Sequence, residues 1–357
     1  MNMTSRERFL TALNGKEPDM IPIFDYIYSR PLYKEVLGYI PEGYEAEAVM
    51  RCSAKIGYDC GVVPFGGQSG FQLGESLRYK DEWGTTYEKS ENTWPTDGPI
   101  DFPIKSLEDL RNYEWPDPDE DWRLDGIRTA VRIATENRMS VLGSVRGPFS
   151  AAWMLTGFSE FLIMFYENRE VVDTVLTKVT DFFVRGAQRM AEAGVDAIQF
   201  ADDYGSNTAP FFSPAQFREI ILPHTGRLVK EINKTGVPAM MHSDGHIMPL
   251  LDDLVETGIF SCHPMERSAG MDIREIKSLY GDRLALVGNV NNKTTLVSGN
   301  EEDILNEVVD CISAAAPGGG YILASDHSLH DDIPNKNVFA LYNAGRKHGK
   351  YPLKLPE

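Results

Sequence analysis

From residue 125 onward the chain alternates short apolar runs with longer segments of helical periodicity, and this alternation restricts the fold more than any other feature. The apolar runs have the length of buried strands and fall at residues 140–145, 194–201, 238–242, 259–264, 284–289 and 321–325. Helical segments lie between them, among them one with apolar residues along one face from Val171 to Met190. Two earlier runs, 22–28 and 60–65, bring the count to about eight strand–helix steps, the number that closes a TIM barrel. We therefore predict an α/β fold of the (β/α)8 barrel type.

Two parts of the chain do not follow this alternation. Thr4 and Glu7 have the spacing of a capping box, which predicts a short helix ending near Asn14 as an N-terminal extension. Residues 66–123 are rich in glycine and proline and include the segment 81–88, whose pattern is typical of a β-hairpin. No apolar periodicity in 66–123 would support a separate core. We therefore predict an insertion packed on the barrel and a single domain that spans residues 1–357.

Composition and charge limit the partners of this chain. It has 357 residues, is 42% hydrophobic and carries a formal net charge of −18, which disfavours nucleic acid and anionic membrane surfaces as partners. Its four cysteines, Cys52, Cys60, Cys262 and Cys311, show no metal-binding or disulfide spacing, which fits a reducing compartment. The first residues contain no signal core, and no apolar run reaches membrane-spanning length. We expect a cytoplasmic protein, and the sequence gives no indication of its oligomeric state.

The clearest candidate site lies at the end of the apolar run 238–242. His242 and Asp244 are two residues apart at a strand end, so their side chains should point to the same side. Together with His327, which follows the run 321–325, they offer the nitrogen and oxygen ligands of a zinc site with an open fourth position. The alternative is a hydrogen-bonded group that positions a substrate without any metal.

Other polar and aromatic residues at strand ends complete the predicted mouth of the barrel. Asp202 and Asp203 are candidates for general acid–base catalysis together with His242. Adjacent carboxylates cannot both face one point, so one of the two is expected to orient the backbone or cap the next helix. Arg146 can hold a substrate carboxylate or phenolate, or form a salt bridge to an aspartate across the mouth. The further candidates for substrate binding are Asp25, Tyr28, Phe65 and Asn289.

Several short motifs are spread over nearly the whole chain. Besides the opening segment 5–22, they are Asp81-Glu-Trp-Gly84, His242-Ser-Asp-Gly245, Pro264-Met-Glu266, Gly318-Gly-Gly-Tyr-Ile-Leu323 and Pro334-Asn-Lys-Asn337. Each motif is weak alone, but as a set they resemble the uroporphyrinogen decarboxylase superfamily. The resemblance implies a (β/α)8 barrel whose site lies at the mouth formed by the strand ends.

Within this superfamily the sequence departs from the true uroporphyrinogen decarboxylases. Those enzymes carry an arginine-rich stretch after the first strand and an aspartate-containing turn after the second. Here only Arg30 remains in the first region, and the second reads Val63-Pro-Phe-Gly-Gly67. A chain this acidic, without that basic cluster, should bind a porphyrinogen with many carboxylates poorly. Decarboxylation of uroporphyrinogen is therefore not the first choice.

The motifs are more similar to those of the corrinoid-linked methyltransferases in the superfamily. Their zinc is bound by a His-x-Cys motif and by a distant cysteine shortly before a Pro-x-x-Asn segment. His242 matches the histidine, whereas Asp244 stands in place of the first cysteine and His327 in place of the distant one. Nitrogen and oxygen ligands leave zinc more electrophilic than thiolates do, which suits polarisation of an oxygen that carries a methyl group.

The resemblance thus implies a zinc-assisted methyltransferase. Its donor would be a small O-methylated compound, aromatic ones included, or an N-methylated one. The chain has no corrinoid-binding Asp-x-His-x-x-Gly motif of its own, so the corrinoid would be supplied by a separate partner protein. Two alternatives remain open: a carboxy-lyase in which Asp202 or Asp203 protonates a carbanion, and a non-catalytic barrel that binds a methylated metabolite or a corrinoid protein.

Overall fold

The computed structural model describes residues 3–66, 70–72, 77–90 and 94–354. The strands are β1 (Ile27–Tyr28), β2 (Cys60–Pro64), β3 (Gly70–Gln72), β4 (Arg78–Asp81), β5 (Thr86–Glu88), β6 (Gly98–Asp101), β7 (Ser140–Arg146), β8 (Ala197–Ala201), β9 (Ala239–His242), β10 (Ser261–His263), β11 (Ala285–Val290), β12 (Tyr321–Ser325) and β13 (Leu329–His330). The helices are α1 (Ser5–Leu13), α2 (Arg30–Leu37), α3 (Ala46–Ile56), α4 (Leu107–Asn112), α5 (Asp125–Asn137), α6 (Pro148–Thr156), α7 (Phe158–Glu167), α8 (Arg169–Glu192), α9 (Pro214–Gln216), α10 (Leu222–Lys234), α11 (Met248–Glu256), α12 (Ile273–Tyr280), α13 (Thr295–Ser298), α14 (Glu301–Ala315) and α15 (Asn335–His348).

Seven parallel strands form one curved sheet in the order β12-β11-β10-β9-β8-β7-β2. Residues 22–24 take the eighth position. On one side the Phe24 amide donates to the carbonyl oxygen of Leu323 in β12 at 3.1 Å. On the other side the Asp59 amide, directly before β2, donates to the carbonyl oxygen of Ile23 at 2.8 Å. These bonds close the sheet, and the predicted (β/α)8 barrel is confirmed.

The first predicted strand, 22–28, differs from the expectation in its second half. Only Ile27–Tyr28 forms a regular strand, and it pairs with β13 rather than with a strand of the barrel. The Tyr26 amide donates to the side chain of Asp25 at 2.9 Å, so it is not available to a neighbouring strand. The chain therefore leaves the barrel here and carries Tyr26 and Tyr28 to the mouth.

Apolar side chains form two separate clusters. The larger one lies between the strands and the surrounding helices. The smaller one takes alternate residues of the strands, such as Val62, Leu142 and Met240, and these point into the barrel. Phe9 and Leu13 of α1 belong to the same cluster, so this helix contributes to the core inside the barrel.

Helix α1 closes the N-terminal end of the barrel. The predicted capping box is confirmed, since the Thr4 side chain accepts from the Glu7 amide and the Glu7 side chain accepts from the Thr4 amide. Arg6 forms an ion pair of 2.7 Å with Asp196, which directly precedes β8. Because α1 lies at the start of the strands, their C-terminal ends remain open as a mouth.

The insertion contains a sheet of four antiparallel strands in the order β3-β4-β5-β6. The hairpin predicted at 81–88 corresponds to β4 and β5, the central pair of this sheet. Arg123 attaches the sheet to the barrel, because its buried guanidinium donates to both oxygens of Glu82 at 2.5 and 2.7 Å. Trp83 adds an apolar contact to Phe182 of α8, with ring centroids 4.6 Å apart. The sheet therefore forms a wall beside the mouth of the barrel.

Helices α6 and α7 meet at Gly157 and are bent by 98° relative to each other. Phe149 of α6 and Phe161 of α7 pack together with ring centroids 6.0 Å apart. In the described part of the chain no single helix is long and apolar enough to span a membrane. Taken together, the two helices of this bent pair reach the length and apolar composition of a membrane span.

Replacing Phe9 by alanine should lower the free energy of unfolding by about 3–5 kcal/mol, because the side chain is fully buried in the cluster inside the barrel. The measurement is urea denaturation. The matched control is Ile163→Ala on α7, where the side chain is 52% exposed and the change should stay within about 0.5 kcal/mol. Equal effects of the two variants would contradict the role of α1 in the core.

Candidate active site at the mouth of the barrel

The register of four strands places a row of side chains at the mouth. Arg146 at the end of β7 lies opposite Ala201 of β8, Ala201 lies opposite His242 of β9, and His242 lies opposite His263 of β10. Residues opposite one another in a parallel sheet point to the same side. Because neighbouring strands are about 4.8 Å apart, the Cα atoms of Arg146 and His242 are separated by about 10 Å. Only an alanine stands between them in the row.

His242 belongs to a cluster of four titratable side chains. Its Nε2 atom lies 3.7 Å from Oδ1 of Asp244 and 3.8 Å from Oδ1 of Asp203. The Nε2 atom of His327 lies 2.9 Å from the second oxygen, Oδ2, of Asp244. The Asp244 amide donates to Oδ1 of Asp203 at 3.0 Å, which ties the two loops together. The three residues named from the sequence as zinc ligands thus lie close together, and Asp203 is the fourth member of this cluster.

The charges in the cluster depend on one another. Burial alone would raise the pKa of Asp244, but the charge of His242 and the hydrogen bond with His327 hold this pKa far below its usual range. Burial also opposes protonation of the two histidines, yet Asp244 raises the pKa of His242 and raises that of His327 to about 9. Burial and the charge of Asp244 raise the pKa of Asp203. Asp244 is therefore the permanent anion of the cluster, and Asp203 takes up a proton more readily.

A second histidine, His263, is hydrogen-bonded to His242. The Nδ1 atoms of His242 and His263 lie 2.7 Å apart, so one of them donates a hydrogen bond to the other. Burial and the charge of His242 hold the pKa of His263 well below its usual range, which keeps His263 neutral. It can then accept from Nδ1–H of His242 and leave Nε2 of His242 directed at the two carboxylates. Sequence reasoning assigned no role to His263, and its position at a strand end is the one available signal.

The loop that carries Asp244 has a fixed conformation. Gly245 has a φ of +81°, and a Cβ atom there would lie 2.3 Å from the carbonyl oxygen of Gly205. The Gly245 amide donates to Oε2 of Glu266 at 2.8 Å, and Glu266 is in turn bound by Lys293 at 2.5 Å. Glu266 therefore positions the loop, whereas in the sequence it appears only as part of a superfamily motif.

Asp203, His242 and Asp244 have the geometry to hold a metal ion. One ligand atom from each lies within 4.8 Å of the other two. Ligands of tetrahedral zinc at about 2.0–2.1 Å are roughly 3.4 Å apart, so only a small contraction would be needed. Among the described residues Oδ1 of Asp244 is buried without a hydrogen-bond partner, and a cation would satisfy it. The set differs from the prediction in one member, because Asp203 takes the place of His327.

A cavity of about 340 Å³ opens next to this cluster. Tyr26 lines the cavity, and its ring centroid lies 5.6 Å from that of His242, so Tyr26 is a neighbour of both the cavity and the cluster. Nine of its 21 lining residues are aromatic, and they come both from the barrel and from the inserted sheet. The aromatic residues besides Tyr26 are Tyr28, Tyr44, Phe65, Tyr79, Trp83, Tyr87, Phe182 and Phe183.

Three of the predicted substrate-binding residues, Tyr28, Phe65 and Arg146, line this cavity. For Arg146 the sequence left a salt bridge across the mouth as an alternative. In the part of the chain that the structure describes, its guanidinium forms no ion pair within 4.0 Å. It lies within electrostatic range of Asp81 and Tyr87. The geometry therefore favours Arg146 as a ligand-binding residue.

Asp202 has a different position from its neighbour Asp203. Its fully buried carboxylate accepts from the amides of Phe149 at 3.1 Å and Ser150 at 2.6 Å, both in the first turn of α6, and from the Tyr204 hydroxyl at 2.8 Å. Asp202 thus caps a helix, as predicted for one member of the pair. The capped helix is α6, which follows β7, rather than the next helix after Asp202 in the chain. Because both oxygens are occupied, a catalytic role for Asp202 is not supported, and Asp203 is the acid–base candidate.

Two predicted substrate-binding residues are also occupied by structural contacts. Asp25 accepts from the amide and the hydroxyl of Ser325, both at 2.9 Å, and this joins the first segment of the barrel to β12. The Asn289 side-chain amide donates to the carbonyl oxygens of Met265 at 2.9 Å and Met271 at 3.3 Å. Both side chains stabilise the barrel and its loops, so the prediction of substrate contacts for them is corrected.

The site can now be compared with known proteins. Residues 84–348, well over half of the chain, match the family model described as uroporphyrinogen decarboxylase (URO-D). The chain belongs to the URO-D family. The matched region contains the strands from β7 onward and all four members of the cluster at the mouth.

Relatives of this URO-D protein have names that indicate two activities. The uroporphyrinogen decarboxylase of Coxiella burnetii is 26% identical over 269 residues, which cover 70% of each chain. The methylcobamide:CoM methyltransferase of Methanosarcina barkeri is 26% identical over 362 residues, covering 96% of this chain and 97% of that one. A solved structure of a methyltransferase from Methanosarcina mazei has a TM-score of 0.77 at 22% identity and covers 97% of this chain and 99% of that one, which supports the fold. The chain is thus a member of an enzyme family with methyltransferases among its relatives.

The zinc affinities of single variants test whether Asp203 or His327 is the third ligand. Asp203→Asn should weaken zinc affinity by more than about 100-fold, because in this geometry Asp203 would bind the metal directly. His327→Ala should cost about 10-fold because it removes a hydrogen bond to the ligand Asp244. Competition with a chelating dye gives the affinities, and Asp332→Asn, at an 85% exposed side chain, is the control. A larger loss for His327→Ala than for Asp203→Asn would restore His327 as the third ligand.

A pH series tests the structural role of Asp25. Burial raises the pKa of this carboxyl group from 3.8 to about 7 in spite of its hydrogen bonds. A group whose pKa is raised by folding contributes stability that is complete below its unfolded pKa and is lost as the pH rises through the folded value. Between about pH 4 and pH 8 the wild type should therefore lose about 1–4 kcal/mol more unfolding free energy than Asp25→Asn, which cannot ionise. Equal losses in urea denaturation of the two proteins would contradict this.

Proposed function

We propose that this URO-D family protein transfers a methyl group from a small methylated donor to the corrinoid of a separate protein, with zinc bound at Asp203, His242 and Asp244. The observation that carries the proposal is a set of nitrogen and oxygen atoms with the geometry of metal ligands, beside a cavity that shares Tyr26 as a neighbour. Similarity to the Methanosarcina barkeri methylcobamide:CoM methyltransferase over nearly the full length of both chains supports it. The cavity binds the donor, and the partner protein approaches the mouth.

Zinc in this site would act as a Lewis acid toward the oxygen or nitrogen that carries the methyl group. The ligands are held in place beforehand, because His327 binds Oδ2 of Asp244 and His263 binds Nδ1 of His242. As a zinc ligand Asp203 would be ionised, so the proton for the leaving atom would come from water in the open mouth. In a methyl ether the bond between oxygen and methyl carbon breaks and its electron pair stays on the protonated oxygen. The reduced corrinoid of the partner supplies the electron pair that accepts the methyl group.

A carboxy-lyase is the second candidate, and the decarboxylase relatives together with Arg146 favour it. Among the described residues that line the cavity, Arg146 is the one basic side chain, whereas Asp81, Glu82 and Asp97 are acidic. A porphyrinogen with many carboxylates would be repelled by this lining. A lyase of this construction would therefore act on a small monocarboxylate, with Asp203 as the proton donor.

The methyltransferase reaction can be measured with free cob(I)alamin in place of the partner protein. The zinc-loaded enzyme should methylate it from at least one O-methylated or N-methylated donor, seen as loss of the cob(I)alamin absorbance. His242→Ala should slow this reaction by at least about 100-fold because zinc is lost, whereas Asp332→Asn should not change it. Release of carbon dioxide from a carboxylated substrate, without methyl transfer from any donor, would support the lyase instead.

A further inference from the structure

We propose that a monovalent metal cation, K⁺ or Na⁺, binds between the C-terminal ends of β11 and β12, at Oδ2 of Asp326 and Oδ1 of Asn292. This second cation site shares no residue with the cluster around His242 and does not depend on the proposed methyltransferase function. Three observations support it: two buried oxygen atoms without a hydrogen-bond donor, the charge balance around Asp326, and the neutral oxygens that complete the site.

The two residues are held together at the ends of neighbouring strands. The Asp326 amide donates to the carbonyl oxygen of Val290, the last residue of β11, at 2.8 Å, so Asp326 extends the pairing of β11 and β12 by one residue. The Asn292 amide, two residues beyond β11, donates to Oδ1 of Asp326 at 2.7 Å. Both side chains are buried, and Asp326 is fully inaccessible to solvent. The pair is therefore part of the packed end of the barrel.

One oxygen of each side chain lacks a donor. Among the described residues neither Oδ2 of Asp326 nor Oδ1 of Asn292 has a hydrogen-bond partner, and both atoms are buried. Turning the Asn292 amide around would not change this, because its Nδ2 atom donates to the carbonyl oxygen of Ser328 at 3.0 Å, where an amide oxygen would be repelled. Buried acceptors of this kind are costly unless a donor or a cation satisfies them.

Asp326 carries an unbalanced charge. The neighbouring acids have cationic partners, since Glu266 is paired with Lys293 at 2.5 Å and Glu307 with Arg267 at 3.4 Å. Within the part of the chain that the structure describes, Asp326 forms no ion pair within 4.0 Å. Of the three charged side chains with the largest effect on it, Glu266 and Glu307 are negative and only Lys293 is positive. A buried carboxylate without a counter-charge is strongly disfavoured, so a bound cation would stabilise it.

The oxygen atoms of the site favour a monovalent ion over a divalent one. A single carboxylate balances one positive charge, whereas a divalent ion would leave an excess of charge buried. The other oxygens are neutral: Oδ1 of Asn292 and the carbonyl oxygen of Ser328, which has a second lone pair beside the one that Asn292 uses. Neutral carbonyl oxygens replace the hydration shell of K⁺ in potassium channels. The site therefore fits K⁺ or Na⁺.

A cation in this position would hold the loop that follows β12. The hydroxyl of Ser328 is hydrogen-bonded to Nδ1 of His327 at 2.7 Å, and the opposite nitrogen of His327 binds Oδ2 of Asp244 at 2.9 Å. The ion would thus support the position of His327 without contacting the cluster around His242.

Urea denaturation in different salts tests the site on the whole protein. The measurement compares KCl, NaCl and Tris chloride at equal ionic strength and about pH 8, where Asp326 is ionised because burial raises its pKa only to about 6. The equilibrium constant for unfolding should be at least about 5-fold smaller in KCl or NaCl than in Tris chloride, and the effect should saturate with concentration. The salt with the larger effect identifies the ion.

Single variants show whether the ion binds at this place. Asp326→Asn and Asn292→Ala should each reduce the difference between the salts to less than about 2-fold, because each removes a ligand. Asp332→Asn, at an 85% exposed side chain, is the matched control and should preserve the difference. Equal unfolding constants of the wild type in all three salts would overturn the inference. A difference that Asp326→Asn leaves unchanged would also overturn it, since the ion would then bind elsewhere.

A crystal structure of the wild type, grown in the stabilising salt, decides the question if the variants do not fold. We expect a density peak that contacts Oδ2 of Asp326 and Oδ1 of Asn292 and has at least about five oxygen neighbours, more than the four hydrogen bonds of a buried water. A peak with the fewer partners of a water molecule, or a direct hydrogen bond between the two side chains, would contradict the cation site.

Discussion

The hydrogen-bonded register of β7, β8, β9 and β10 is the constraint on which the mouth of the barrel depends. It aligns Arg146, Ala201, His242 and His263 in one row, and a shift of one residue in any of these strands would turn its side chain to the other face. Two loops then add Asp203 and Asp244, which are joined to each other by a backbone hydrogen bond. The site is therefore built on paired strands, and a hydrogen bond joins the two loops that complete it.

The chemistry of the cluster follows from its two carboxylates and one imidazole, Asp203, Asp244 and His242. Asp244 keeps its charge at any ordinary pH, and His327 and His242 hold it from two sides. The thiol of Cys262 does not compete, because it lies in the apolar cluster between the strands and the helices, where burial raises its pKa to about 12. Zinc bound here would have nitrogen and oxygen ligands, which favours activation of an ether oxygen over activation of a thiol.

The regular part of the fold could be predicted from the sequence because the signals are local. Apolar runs and helical periodicity located the strands β7 to β12 and the helix Glu301–Ala315. The end of the first strand could not be predicted in this way. There the carboxylate of Asp25 binds the Tyr26 amide and ends the ladder, and an apolar pattern does not show such a contact. The inserted sheet was only partly predictable, since the turn signals around 81–88 revealed its central pair and not its outer strands.

The sequence predicted which strand ends form the candidate site, but not what each side chain does there. Position along the chain brought His242, Asp244 and His327 together, but which oxygen of Asp244 faces which histidine depends on the loop conformation. Sequence also does not show which polar side chains already have partners. For this reason Asp202 and Asn289 were counted as site residues although neighbouring backbone groups occupy them.

The central claim is a zinc site built from nitrogen and oxygen at the mouth of the barrel. X-ray absorption at the zinc edge of the zinc-loaded protein tests it most directly. We predict a first shell of nitrogen and oxygen at about 2.0–2.2 Å, with the outer scattering of imidazole and no sulfur. A sulfur shell near about 2.3 Å, or a protein that retains no zinc, would contradict the claim.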